Sequence, residues 1–187
     1  MKSLFTQLIT LVLLAGALQA HEAYTVDAKK SSVYYKSLAD VLFFIDTTII
    51  GNNQSVSGQI NVLDNKLLDG KILINIKGFD SENSMRDSDV MSLLGFDINP
   101  NITFAIYNTE LIDSQLYLVG DLEVNSITKA IKMPVIKTFI NDSITVSGKL
   151  DVMYADFGIE PPTVAGFIKK ALPSVEIGAT IRFVKTK

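Results

Sequence analysis

The chain has 187 residues, a formal net charge of -3 and 48% apolar residues. That length holds one ordinary domain with enough apolar side chains to bury a core. A mildly acidic balance without clustered Lys or Arg excludes the basic footprint that nucleic acid needs, and argues against docking on an anionic membrane.

The N-terminus is a segment of its own. Lys2 gives a positive start, an apolar stretch runs from Leu4 to Leu18, broken by Thr6, Gln7 and Thr10, and Gly16 and Ala17 lead to Ala20. This is the three-part layout of a secretory signal peptide. A spanning helix needs about 20 apolar residues, so the stretch is short for one. Cleavage is expected after Ala20, which makes residues 1–20 a signal peptide and 21–187 the mature domain. A cut after Ala17 and an uncleaved anchor are the alternatives. There is no cysteine. Hence no disulfide and no lipobox anchor is available, and the expected location is the periplasm or the exterior.

After the leader, apolar residues recur with period two, the mark of half-buried strands. In chain order the shared faces are Ile72, Ile74 and Ile76; Ile102, Phe104 and Ile106; Leu116, Leu118, Leu122 and Val124; Ile131, Met133 and Val135; Ile144, Val146, Leu150 and Val152; and Val175, Ile177, Ile181 and Phe183. Turns are expected at Asp64-Asn65, Asp69-Gly70, Asp113-Ser114 and Asn141-Asp142. Such short links imply antiparallel neighbours, hence an all-β sandwich or barrel.

Three stretches break the alternation. Leu38, Val41, Leu42 and Ile45 are spaced as in a helix or an irregular strand. Ser84 to Leu94 reads as a helix capped by Ser84, with Asp87 and Asp89 early and Gly95 ending it. Thr163 to Leu172 reads as a short helix between Pro161-Pro162 and Pro173.

Gly120, Gly148 and Ala179 each place a small residue within an apolar phase. If those phases face inward, either a slender cavity is left open, or the glycines serve bends and bulges needed for closure.

Covalent chemistry finds no support. A Ser/His/Asp triad would need the lone histidine, His21, at a loose terminus. Copper chelation there lacks a second histidine. Asp80, Glu82, Asp87 and Asp89 could serve hydrolysis if paired at the right distance, but acidic residues ahead of a helix usually cap it. They lack the ligand order of a calcium loop. Asp156-Phe157-Gly158 has no accompanying kinase loops. Accordingly, no catalytic residue, metal or cofactor is expected.

Several motifs, taken in order, resemble the YceI family. They are Tyr24-Thr25-Val26-Asp27 with Ser32-Val33-Tyr34; Ile74-Asn75-Ile76, Ser84, Arg86-Asp87 and Phe96-Asp97; Pro100 with Ile102-Thr103-Phe104; Gly120-Asp121-Leu122-Glu123-Val124 with Ile127-Thr128-Lys129; and Asp156-Phe157-Gly158-Ile159. The resemblance spans nearly the whole mature chain. It implies a lipocalin-like, eight-stranded antiparallel barrel, here with one or two short helices. It also implies periplasmic or secreted proteins, often homodimers, that bind polyisoprenoid, quinone-like or fatty-chain amphiphiles. Three positions depart from the pattern: Ser31 replaces a usual histidine, Tyr154 an arginine and Ser126 a glycine. Head-group specificity therefore does not carry over.

The expected ligand is a long apolar amphiphile, such as a polyisoprenoid quinone or fatty-chain lipid. Its expected lining is Ile74, Ile76, Phe104, Leu118, Leu122, Val146, Leu150, Ile177 and Ile181, with Phe157 closing one end. Arg86 and Asp87 are expected to hold the helix-bearing loop. The rival readings are a hydrolase using the Asp80 to Asp89 cluster and an interaction module with a filled barrel.

Overall fold

A computed structural model describes residues 21–41, 47–164 and 169–186, with side chains described except at 39–41, 47, 164, 169 and 170. Its strands are β1 (Glu22–Val26), β2 (Ser32–Val41), β3 (Thr47–Asn53), β4 (Val56–Leu63), β5 (Lys66–Asn75), β6 (Asn101–Ile112), β7 (Gln115–Val124), β8 (Ile127–Ile140), β9 (Ser143–Met153), β10 (Thr163–Val164) and β11 (Lys169–Lys185). One α-helix, α1 (Ser84–Leu93), lies between β5 and β6.

Every strand pairing is antiparallel, and the sheet closes on itself because β11 pairs with β1 as well as with β9. Two walls are interrupted strands. β1 and β2 lie end to end along one edge of β11, and β4 and β3 lie end to end against them. Counting each interrupted pair once gives eight strands around the barrel.

The break between β1 and β2 is held by a side chain. The Ser31 hydroxyl donates to the Asp27 carbonyl at 2.8 Å and accepts from the Arg182 N–H at 3.0 Å. A buried serine thus ties the bend to β11. At the other break Asn53, 1% exposed, accepts from the Ser55 N–H and donates to the Asn75 carbonyl.

Tight hairpins set the registers. Both residues of Asp64-Asn65, Asp113-Ser114 and Asn125-Ser126 have positive φ, between 48° and 66°. That is the twist-matched two-residue turn, and short polar side chains tolerate it better than others. Asn125-Ser126, which was not among the expected turn pairs, makes the same kind of turn between β7 and β8.

Two of the expected elements need correction. Asp69-Gly70 is not a turn but lies inside β5, opposite Asn61 and Ile60. Asn61 donates to the Asp69 carboxylate at 2.6 Å, and a Cβ on Gly70 would fall 2.6 Å from the Gln59 carbonyl oxygen. Close approach of neighbouring strands, not reversal, requires this glycine. The expected helix from Thr163 to Leu172 is also wrong in its described part. Thr163–Val164 and Lys169 onward are strands, with 165–168 outside the described residues. Lys169, Lys170 and Ala171 pair with Val41, Asp40 and Ala39, and the ladder shifts register across Pro173 before resuming at Val175. Strand pairing overrides local helix signals here. The Leu38 end of the 38–45 segment takes the strand alternative, and 42–46 lie outside the described residues.

The expected helix does form, although its cap is Asn83, whose side-chain oxygen accepts from the Arg86 N–H at 3.0 Å; Ser84 is the first helical residue. Gly95, at φ +72°, ends it.

The inward phases of the strands build one core, in which Tyr24, Ile60, Ile76, Ile144 and Phe183 are at most 1% exposed.

Candidate ligand site

The core does not fill the barrel. A cavity of about 340 Å³ lies under α1, and a second of about 70 Å³ lies deeper. The upper volume is near the lower end of the roughly 300–1,000 Å³ usual for ligand pockets.

Side chains from five strands and the helix, among others, converge on the upper cavity. Val33, Tyr35 and Ser37 project from β2, Ile74 from β5, Leu122 and Val124 from β7, and Val152, Val175 and Ile177 from β9 and β11. Val90, Leu93 and Leu94 roof it from α1 and its end. Phe157, 3% exposed, enters from the helical turn Tyr154–Phe157, whose Phe157 carbonyl accepts from the Asn125 side chain at 3.3 Å. The lower cavity is walled by apolar side chains and by Gly148, Gly178 and Ala179.

Polar groups gather at the mouth. The Arg86 Nε donates to the Ser81 hydroxyl at 2.8 Å and its Nη2 to the Ser81 carbonyl at 2.6 Å. Asp87 accepts from both the N–H and the hydroxyl of Ser81. Arg86 and Asp87 thus hold the loop before α1 as expected, but through Ser81 rather than by pairing with each other. Across the cavity the Tyr154 hydroxyl donates to Ser37 at 3.1 Å. Burial pushes the Tyr154 and Tyr35 phenols above the usual phenol range. The Tyr35 ring packs against Phe79 with centroids 5.4 Å apart, and its hydroxyl is buried without a hydrogen bond of normal geometry.

The structure distributes the expected lining residues between the two spaces. Phe157 borders the upper cavity. Phe104, Leu118, Val146 and Ile181 border the lower one, and Ile74, Leu122 and Ile177 border both. Ile76 is buried at the end of β5 and Leu150 packs against the core, but neither borders these two cavities. The small residues divide as well. Gly148 and Ala179 face the lower cavity, whereas Gly120 sits beside the register shift between Ile106 and Asn108, where a Cβ would meet the Ala105 carbonyl oxygen at 2.4 Å. Gly120 therefore serves a bulge.

Sequence reasoning missed the β2 and α1 contributions. The signals were present: Val33, Tyr35 and Ser37 alternate, and Val90, Leu93 and Leu94 recur at helical spacing.

Two carboxylates of the acidic cluster are spent on structure, while Asp89 borders the upper cavity. Asp80 accepts from the Glu82 N–H at 2.8 Å, and Asp87 is committed to Ser81. Among the described residues, no group of acidic, His or Cys side chains is placed to hold a metal ion.

The sequence pattern of the YceI-like domain matches residues 24–183. No curated protein matches the chain. The fold is similar to Burkholderia cenocepacia BcnA, with a TM-score of 0.67 and 19% identity over 84% of this chain and 98% of that one. It is also similar to a polyisoprenoid binding domain from Saccharophagus degradans implicated in plant cell wall breakdown, with a TM-score of 0.68 and 14% identity over 88% and 99%. A Campylobacter jejuni YCEI protein gives a TM-score of 0.58 and 18% identity over 75% and 90%. Given the extent of the matched sequence pattern and the closed eight-stranded barrel, the chain belongs to the YceI-like domain family.

Proposed function

We propose that this protein binds one slender, long-chain apolar amphiphile in its barrel and carries or sequesters it, without covalent chemistry. The observation that carries this reading is the cavity of about 340 Å³, walled mainly by aliphatic and aromatic side chains with a few polar groups among them. Burial of the tail supplies affinity. Each CH₂ contributes about 0.8 kcal/mol, so a chain of about twelve carbons gains roughly 10 kcal/mol before ordering costs. A polyisoprenoid, a quinone or a fatty-chain lipid has the required shape. The similarity to the polyisoprenoid binding domain from Saccharophagus degradans supports the first of these.

Export belongs to the same proposal. Residues 1–20 have the layout of a signal peptide, and the mature chain would begin at His21 in the periplasm or outside the cell. The test is mass spectrometry of protein purified from its native envelope. The expected spectrum shows a polypeptide starting at His21 and a co-purified amphiphile. A protein without bound lipid that also fails to take up quinone or fatty-amide analogues would overturn the binding reading.

A further inference from the structure

The two cavities share four lining side chains: Val33 of β2, Ile74 of β5, Leu122 of β7 and Ile177 of β11. They come from β2, β5, β7 and β11, of which only β11 and β2 are neighbours, and so form a ring of shared lining where the two spaces adjoin. Register fixes two of them. Leu122 stands opposite Phe104, and Ile177 stands between Leu150 on one side and Tyr35 on the other. Val33, Ile74 and Leu122 are each less than 10% exposed.

The space beyond the ring is small. At about 70 Å³ it is well under the engineered apolar cavity of about 150 Å³ that admits benzene. A tail that passes these four side chains gains contact for only a few methylenes, and any side chain it displaces from its rotamer adds a cost. The balance favours stopping above it.

We infer that this ring is a length gauge: the tail of the bound amphiphile fills the upper cavity and halts at Val33, Ile74, Leu122 and Ile177. The inference rests on the reading that an apolar tail occupies the barrel. It adds that tail length, and not apolarity alone, selects the ligand.

The experiment titrates the mature protein with saturated primary alcohols of about eight to about twenty carbons, by displacement of a fluorescent fatty-chain probe. Affinity should rise about fourfold per CH₂ while the tail still finds wall, then level off. Leu122→Ala joins the two spaces and should move the plateau to longer chains by about two or three carbons. Ile177→Val is a milder cut that should move it the same way by a smaller step, and it serves if Leu122→Ala fails to fold. Ala179→Leu shrinks only the lower cavity; it should cancel the gain in the Leu122→Ala background and leave the original plateau in place on its own. A plateau shortened by Ala179→Leu alone would show that the tail already crosses the ring, and the gauge would be wrong. So would affinity that climbs without levelling, or a plateau unmoved by both ring variants. Failure of every alcohol to bind would instead remove the carrier reading itself.

Discussion

The Tyr154 hydroxyl donates to the Ser37 hydroxyl at 3.1 Å, joining the turn after β9 to the inner face of β2 across the cavity mouth. The two residues are 117 positions apart in the chain, and Ser37 is 5% exposed. Loss of a neutral hydrogen bond of this kind costs about 0.5–1.5 kcal/mol. Tyr154→Phe should therefore lower stability by about 1 kcal/mol in chemical denaturation, since it keeps the ring and removes only the donor. A double-mutant cycle with Ser37→Ala should return a coupling of similar size. Additive losses would mean that the two hydroxyls do not support each other.

Val152 projects from β9 into the upper cavity and is half-buried. Val152→Trp adds bulk where there is open space, so overpacking should stay below about 3 kcal/mol. The variant should remain folded by circular dichroism yet lose binding of a fatty-chain alcohol by at least tenfold. Full binding in a folded Trp variant would show that the tail sits elsewhere.

Gly51 faces Tyr35 across β2 and β3, and a Cβ there would lie 2.2 Å from the Tyr35 ring. Phe79 packs against the ring, so it can yield only by moving into the cavity it borders. Gly51→Ala should thus destabilise the barrel by about 1–3 kcal/mol, measured from the denaturation midpoint. It should also weaken ligand binding, because the displaced ring has the cavity to move into. A neutral Gly51→Ala would show that the ring has another resting place.

Glu176 accepts hydrogen bonds from Lys149 at 2.9 Å and Tyr34 at 3.0 Å on the outside of the barrel, linking β9, β11 and β2. Lys149 and then Tyr34 hold its carboxyl below the usual value of 4.5. A depressed carboxylate contributes stability above its unfolded pKa and loses it as pH falls through the folded one. Tyr34, raised first by burial, and Lys149, raised first by Glu176, contribute below their usual 10.0 and 10.5 and lose it as pH rises further. Glu176→Gln should accordingly cost about 0.2–1 kcal/mol near neutrality, as for a partly exposed ion pair. That difference from the parent protein should shrink below about pH 4. A gap in denaturation midpoint that persists at pH 3 would contradict the assignment.

Most of the barrel was legible from alternation. Wherever one strand face is apolar and the other polar, period two states both the element and the face, as in Ile144, Val146 and Val152. Turn chemistry was legible where it followed from backbone preference, as at Asp64-Asn65 and Asp113-Ser114. It misled at Asp69-Gly70, because glycine answers equally to a reversal and to a close neighbour. The segment from Lys169 to Ala171 misled for a related reason. Its strand pairs with Ala39, Asp40 and Val41, about 130 residues away, and no local window contains that partner.

The sequence by itself determined the strand faces, the helix, the acidic and cysteine-free character, and the family. These depend on side-chain type at short spacing, which a linear reading contains. Only the tertiary structure decided that the inward faces stop short of the axis and leave two spaces, that Val33, Ile74, Leu122 and Ile177 border both, and that Tyr154 reaches Ser37. Barrel closure brings those residues to the same spaces through the stagger of the strands, and stagger is a property of pairing between distant segments rather than of any one of them.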